Sequence, residues 1–136
     1  MISLDTNVLI YAFDPSDYKK HTIASKLLKR AIRDGSPIAA QVYGEFFTAT
    51  VRKKIATRLL ANDVLETWSS MMPPLVSSWE GHLEARKLAA DHQLQYWDAL
   101  IIATCAEHGV TRLYTEDAPG LTKPLGVTCV SPFDAS

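Results

Sequence analysis

The sequence predicts an α/β fold in which helices cover both faces of a mostly parallel sheet of about five strands. Short apolar runs alternate with longer stretches of helical periodicity along the chain. This alternation is typical of parallel sheets, because their crossover connections place helices on both faces. The 136 residues contain no internal repeat and no low-complexity linker, so we expect residues 1–136 to form one domain.

The N-terminal half is predicted to contain two strands and three helices: strands at 2–4 and 38–40, and helices at 8–13, 19–33 and 41–54. Asp14-Pro15-Ser16 breaks the first helix, and Asp34-Gly35-Ser36-Pro37 ends the second. The second helix has an apolar face opposite a basic one. Thr6 is the expected N-cap of the first helix, since a threonine hydroxyl can accept from a free backbone N–H.

The C-terminal half is predicted to contain three helices and three strands: helices from 62 to about 71, at 79–92 and from 96 to near 108, and strands at 75–77, 112–115 and 127–130. Asn62-Asp63 is the expected cap of the first of these helices, and Pro73-Pro74 stops it. In the helix at 79–92, we expect Leu83, Leu88 and Ala89 to face inward.

The composition excludes several classes of protein. With 47% hydrophobic and 21% charged residues, the chain resembles soluble globular proteins and not disordered ones. Its apolar runs are shorter than the roughly 20 residues that cross a bilayer, and its start lacks the basic region of a secretion signal. Two cysteines are too few for a disulfide scaffold or a zinc site, and the four histidines lack metal-ligand spacing. We expect reduced thiols, no membrane contact and a cytoplasmic location.

The net charge of −1 conceals an uneven distribution. Residues 19–58 hold ten of the fourteen lysines and arginines but only two of the fifteen acids, so this segment carries about +8 and the rest about −9. A basic segment of this kind can bind a polyanion such as nucleic acid. The alternative is that these side chains form ordinary solvated helix faces.

Four acids stand out by their positions. Asp5 ends the first strand and Asp117 follows the fourth, and the carboxyl ends of parallel strands are where ligands bind. Glu45 and Asp98 each begin an i, i+3, i+4, i+7 apolar pattern, so both share a helix face with core residues.

Three of the four acids also have a simpler explanation. Asp5 can be a local cap, and Asp98 can be favoured by the helix dipole alone. Glu45 can swing to solvent or pair with Arg52 or Lys53.

Taken together, the four acids predict a metal site. Four neighbouring carboxylates cannot all stay ionised without compensation, and no basic residue is adjacent to them in sequence except Arg112, at the far end of its strand. Mg²⁺ and Mn²⁺ prefer carboxylate and water ligands, and such ions can activate water for attack on a phosphate. Next to a basic segment, this combination predicts a metal-dependent nuclease.

The chain resembles PIN-domain ribonucleases, and specifically VapC-type toxins of bacterial toxin–antitoxin pairs. The resemblance covers essentially the whole length and rests on four short motifs in the family's order: Leu4-Asp5-Thr6-Asn7-Val8-Leu9, Gln41-Val42-Tyr43-Gly44-Glu45-Phe46, Tyr96-Trp97-Asp98-Ala99-Leu100-Ile101 and Leu113-Tyr114-Thr115-Glu116-Asp117. Each motif is weak alone, but the four together are specific.

The resemblance implies a PIN-like three-layer sandwich and cleavage of RNA, often tRNA or ribosomal RNA, by metal-activated water. Asp5, Asp98 and Asp117 would bind Mg²⁺ or Mn²⁺, and Glu45 would complete the site. Thr6 and Thr115 would support these ligands with their hydroxyls, whereas Glu116 should point elsewhere. The resemblance also implies a homodimer and a VapB-type antitoxin whose C-terminal arm lies in the toxin's groove.

Two other functions remain open. One is another acid-cluster α/β enzyme, but a haloacid-dehalogenase-like phosphatase would need a second aspartate where Asn7 stands. A receiver domain would need paired acids there and a lysine after a late strand, and neither is evident. The other is a catalytically silent PIN-like domain that binds RNA or a partner protein.

Overall fold

The computed structural model describes residues 1–117, 120 and 123–134. The strands in this part of the chain are β1 (Ile2–Leu4), β2 (Ile38–Ala39), β3 (Pro74–Leu75), β4 (Arg112–Tyr114) and β5 (Thr128–Val130). The helices are α1 (Thr6–Phe13), α2 (Tyr18–Asp34), α3 (Ala40–Arg52), α4 (Arg58–Met71), α5 (Trp79–His92) and α6 (Tyr96–Glu107), with a 3₁₀ turn at Pro124–Gly126. No helix of the described residues is long and apolar enough to span a bilayer.

The strand pairing confirms the predicted parallel sheet and adds a division within it. β1, β4 and β5 pair in that order, β2 pairs with β3, and every pair is parallel. The two groups meet where the Ser3 hydroxyl donates to the Pro37 carbonyl oxygen at 2.6 Å. In the register of β1 and β4, Leu4 lies opposite Tyr114, so the residues that follow these two strands emerge side by side.

Helix α6 is the most deeply buried helix of the described fold. Every residue from 99 to 105 is buried, whereas the other helices bury one face. Leu4, Leu113 and Ile101 are among the fully buried side chains that link the sheet to this helix. On α3, Phe46 packs edge-on against Phe13 and Trp68. The functional side chains described below therefore extend from a closely packed scaffold.

Three local predictions were wrong. Asp5, not Thr6, caps α1: its carboxylate accepts from the Thr6 backbone N–H. Helix α4 begins at Arg58 and not at Asn62, because Thr57 supplies the cap by accepting from the Leu60 N–H. Leu83 was expected inward but is 40% exposed.

Candidate active site

The structure brings the four predicted acids together from four different elements. Asp5 follows β1, Glu45 lies in α3, Asp98 lies in the first turn of α6, and Asp117 lies in the turn after β4. Asp5, Asp98 and Asp117 line one small pocket, and Thr6 donates hydrogen bonds to both Asp5 and Glu45. Burial raises the pKa of Asp5, and the nearby charges of Glu45 and Asp98 raise it further. Likewise, Glu45 and Asp117 raise the pKa of Asp98. The parallel register explains this meeting, because β1 and β4 end at the same edge.

Asp5 is the most constrained of the four acids. One carboxylate oxygen accepts from the Thr6 backbone N–H at 2.7 Å, and the other accepts from the Thr115 hydroxyl at 2.7 Å. Burial raises the pKa of Asp5 to about 6, because it disfavours the charged form more than these hydrogen bonds favour it. The same carboxylate is therefore both a helix cap and a charge that lacks a counter-ion.

Glu45 is fixed by neutral donors and not by a cation. The Thr6 hydroxyl donates to one of its oxygens at 2.7 Å, and the Gln41 side-chain N–H donates to the other at 2.8 Å. Neither the pairing with Arg52 nor that with Lys53 occurs among the ion pairs of the described residues.

Gln41 was not recognised as functional from the sequence. Its Nε2 also donates to the Trp97 carbonyl oxygen at 3.0 Å, so it ties α3 to the start of α6. The i, i+4 spacing of Gln41 and Glu45 on one helix was the available signal.

The other two acids are accessible to solvent. Asp98 is exposed and not turned into the core as predicted, although partial burial raises the pKa of its carboxyl group. Asp117 is also exposed. Its carboxylate accepts a long 3.4 Å hydrogen bond from the Asn7 side chain, and its backbone N–H donates to the Thr115 hydroxyl at 3.2 Å. The cluster thus has two half-buried carboxylates and two that face water.

Glu116 makes different contacts from its neighbour Asp117, as expected. It forms an ion pair with Lys20 and accepts from the Tyr11 hydroxyl at 3.1 Å. Its backbone N–H donates to the Asn7 side-chain oxygen at 3.0 Å. Asn7 and Lys20, which sequence reasoning did not assign to the site, therefore hold the turn that carries Asp117.

The chemistry of these donors fits a hard divalent cation. All four groups are carboxylates, and in the part of the chain that the structure describes none of them forms an ion pair. Within those same residues, no group of three or more potential ligands already encloses an ion position. Asp98 and Asp117 are the exposed members of the set, so their side chains have the freedom to turn toward an ion.

Comparison with known families identified a match to the PIN domain over residues 2–119. The chain belongs to the PIN domain family. Its four acids therefore stand within a PIN fold. A search of curated proteins found no match.

Two solved structures share the PIN fold of this chain. One is a toxin–antitoxin complex from Klebsiella pneumoniae, with a TM-score of 0.69 and 20% identity, over 99% of this chain and 100% of that one. The other is VapBC2 from Rickettsia felis bound to a promoter DNA fragment, with a TM-score of 0.70 and 16% identity, over 96% and 98% of the two chains. At these identities the likeness establishes the fold.

Proposed function

We propose that this PIN domain is a metal-dependent endoribonuclease and the toxin of a toxin–antitoxin pair. The observation that carries the proposal is the convergence of four carboxylates without a basic partner among the described residues. Uncompensated negative charge in a partly buried cluster is destabilising, so a site that retains it has a functional reason to do so. The fold shared with toxin–antitoxin structures supports the biological context.

Asp5, Asp98 and Asp117 are the proposed ligands of Mg²⁺, for which Mn²⁺ is a substitute, and Glu45 completes the site. When bound, the ion would supply an activated water and would stabilise the negative charge that develops on the phosphate during displacement.

The protein's own contribution is positioning. Thr115 holds Asp5, Thr6 and Gln41 hold Glu45, and Asn7 contacts Asp117. These partners are hydroxyls and amides, which orient a carboxylate without neutralising it.

The proposed substrate is RNA, and tRNA and ribosomal RNA are the first classes to test. The basic residues of α2 and the end of α3 provide the attraction for phosphates. We also propose a homodimer and a cognate VapB-type antitoxin as partners.

The direct test is cleavage of a mixed tRNA and ribosomal RNA pool with Mg²⁺ or Mn²⁺, with EDTA, and with Asp5→Asn as the control for contamination. We expect discrete fragments that require metal and are absent from the variant. If pure protein binds RNA equally with and without metal and never cuts it, the domain is a binding module and the proposed activity is wrong.

A further inference from the structure

A groove of about 650 Å³ opens beside the acid cluster. Glu45 and Thr6 line it, so the groove is continuous with the proposed catalytic site. From there it follows one face of α3, whose positions 41, 45, 48 and 52 are spaced at helical intervals, and it ends at Arg52. Arg52 lies seven positions after Glu45, which corresponds to about 10 Å along the helix axis.

The opposite wall of this groove presents a tryptophan. Trp97 lies directly before Asp98 and is 58% exposed. Its ring is not loose, because Tyr96 packs against it edge-on with centroids 4.9 Å apart, and the Gln41 amide holds its backbone carbonyl. A large aromatic ring that is fixed in orientation and exposed to solvent can stack against another planar group, such as an aromatic ring or a base.

The groove also contains a cation suited to a phosphate. The Arg52 side chain is exposed and forms no ion pair with the described residues. Lys53 and Lys54 follow it, so the positive charge is concentrated at the end of the groove farthest from the acids. A protein partner would be attracted by an apolar ring as well, but this groove combines one carboxylate of the acid cluster, an aromatic ring and an arginine. That combination matches the alternation of phosphate and base along a single strand.

We propose that Trp97 is a base-stacking residue of the substrate groove. An unpaired RNA base stacks on its ring, a neighbouring phosphate contacts Arg52, and the strand between them passes Glu45, the member of the acid cluster that lines this groove. This inference rests on the proposed function and adds that the substrate must present an unpaired nucleotide next to the cleaved bond. Paired bases are excluded because their faces are already covered by stacking in the duplex.

The test measures RNA binding in EDTA, where cleavage does not interfere. Labelled oligo(A) RNA is titrated with wild type, Trp97→Ala, Trp97→Phe and the control Trp79→Ala. Trp79 is 72% exposed and lies outside the groove, so its replacement removes a comparable ring elsewhere. We expect Trp97→Ala to weaken binding roughly 5- to 150-fold. Trp97→Phe should retain most of the affinity, and Trp79→Ala all of it.

A second probe separates base stacking on Trp97 from electrostatic attraction of the phosphates. An abasic ribose–phosphate oligomer of the same length should bind wild type and Trp97→Ala equally, because it has no base to stack. If Trp97→Ala binds oligo(A) as tightly as wild type does, the proposal is wrong and Trp97 is a contact for a protein partner. Failure of the proposed nuclease would instead appear as absence of metal-dependent cleavage by wild type, irrespective of these binding constants.

Discussion

Replacing Asp5 by asparagine is expected to stabilise the protein while it abolishes cleavage. The carboxylate is ionised at pH 7.5 but sits where burial and two neighbouring acids raise its pKa from 3.8 to about 6. A difference of that size corresponds to about 3 kcal/mol of destabilisation in the ionised form. Asparagine removes the charge and sacrifices about one hydrogen bond, worth about 1 kcal/mol.

The free energy of unfolding of Asp5→Asn is therefore expected to exceed that of wild type by about 2 kcal/mol, or roughly 5 to 8 °C in melting temperature for a chain of this length. Thermal unfolding followed by circular dichroism in EDTA at pH 7.5 measures it. Asp63→Asn is the matched control, because Asp63 is an exposed acid on α4 and its loss should leave the melting temperature unchanged.

The pH dependence provides an independent check. As the pH falls through about 6, folded wild type takes up a proton at Asp5 while the unfolded chain stays ionised until about pH 4. Wild type must therefore gain stability relative to Asp5→Asn over this interval. The difference of about 2 kcal/mol should close before the pH reaches about 4, and below that pH wild type should be more stable by about 1 kcal/mol, the value of the hydrogen bond that asparagine lacks. A difference that is constant with pH would show that the charge of Asp5 is not its cause.

Mg²⁺ should make wild type more stable than Asp5→Asn. An ion that binds only the folded wild type stabilises it by about 2.7 kcal/mol at a concentration one hundred times its Kd, which is enough to cancel the advantage of the variant. The reasoning is refuted if Asp5→Asn is less stable than wild type in EDTA at pH 7.5, or if Mg²⁺ stabilises both proteins equally.

Three further changes test other parts of the site. Neutral replacement of Lys26, Lys29 and Arg30 on α2 should weaken RNA binding and reduce the dependence of binding on salt concentration, as titrations at several salt concentrations would show. An unchanged salt dependence would mean that these three side chains form a solvated face. Lys20→Met should lower both the melting temperature and the cleavage rate, because it leaves the half-buried Glu116 without its partner, whereas Lys19→Met on the exposed side should change neither. Strong induction of the wild-type chain alone should arrest bacterial growth, and co-expression of its antitoxin or the Asp5→Asn change should restore it; normal growth with abundant soluble protein would contradict the toxin role.

The positions of the four acids could be predicted because they follow from periodicity. A strand of buried residues has a definite end, and a parallel sheet brings such ends to one edge, so Asp5 and Asp117 could be placed beside each other before the structure was known. The i, i+3, i+4, i+7 pattern placed Glu45 on the core side of α3, where it is half-buried. Asp98 followed the same pattern but is exposed, because the first turn of α6 precedes its buried segment.

The contacts that hold the four acids in place were harder to predict from the sequence. Gln41 reaches both Glu45 and the backbone of Trp97, and the second contact depends on how α3 and α6 pack. Lys20 and Glu116 are separated by 96 residues and meet only in three dimensions. The cap at Thr57 was missed for another reason: Asn62-Asp63 offered an equally suitable local signal, although the Thr57 hydroxyl is the group that caps the helix.

The arrangement of charges around the site favours binding over stability. The nearest lysine on α2 is paired with Glu116 and not with Asp117, so the turn is held in place while the adjacent carboxylate keeps its charge. Neutral donors orient Asp5 and Glu45 in the same way. A chain that only needed to be stable would bring a lysine to this cluster, since an opposite charge lowers the pKa of a carboxylate and removes its repulsion. The positive charge concentrated in residues 19–58 shows that cations were available, yet the described fold keeps them out of ion pairs with all four acids. The uncompensated charge is therefore a property of the site itself, and a cation from solution is the natural way to balance it.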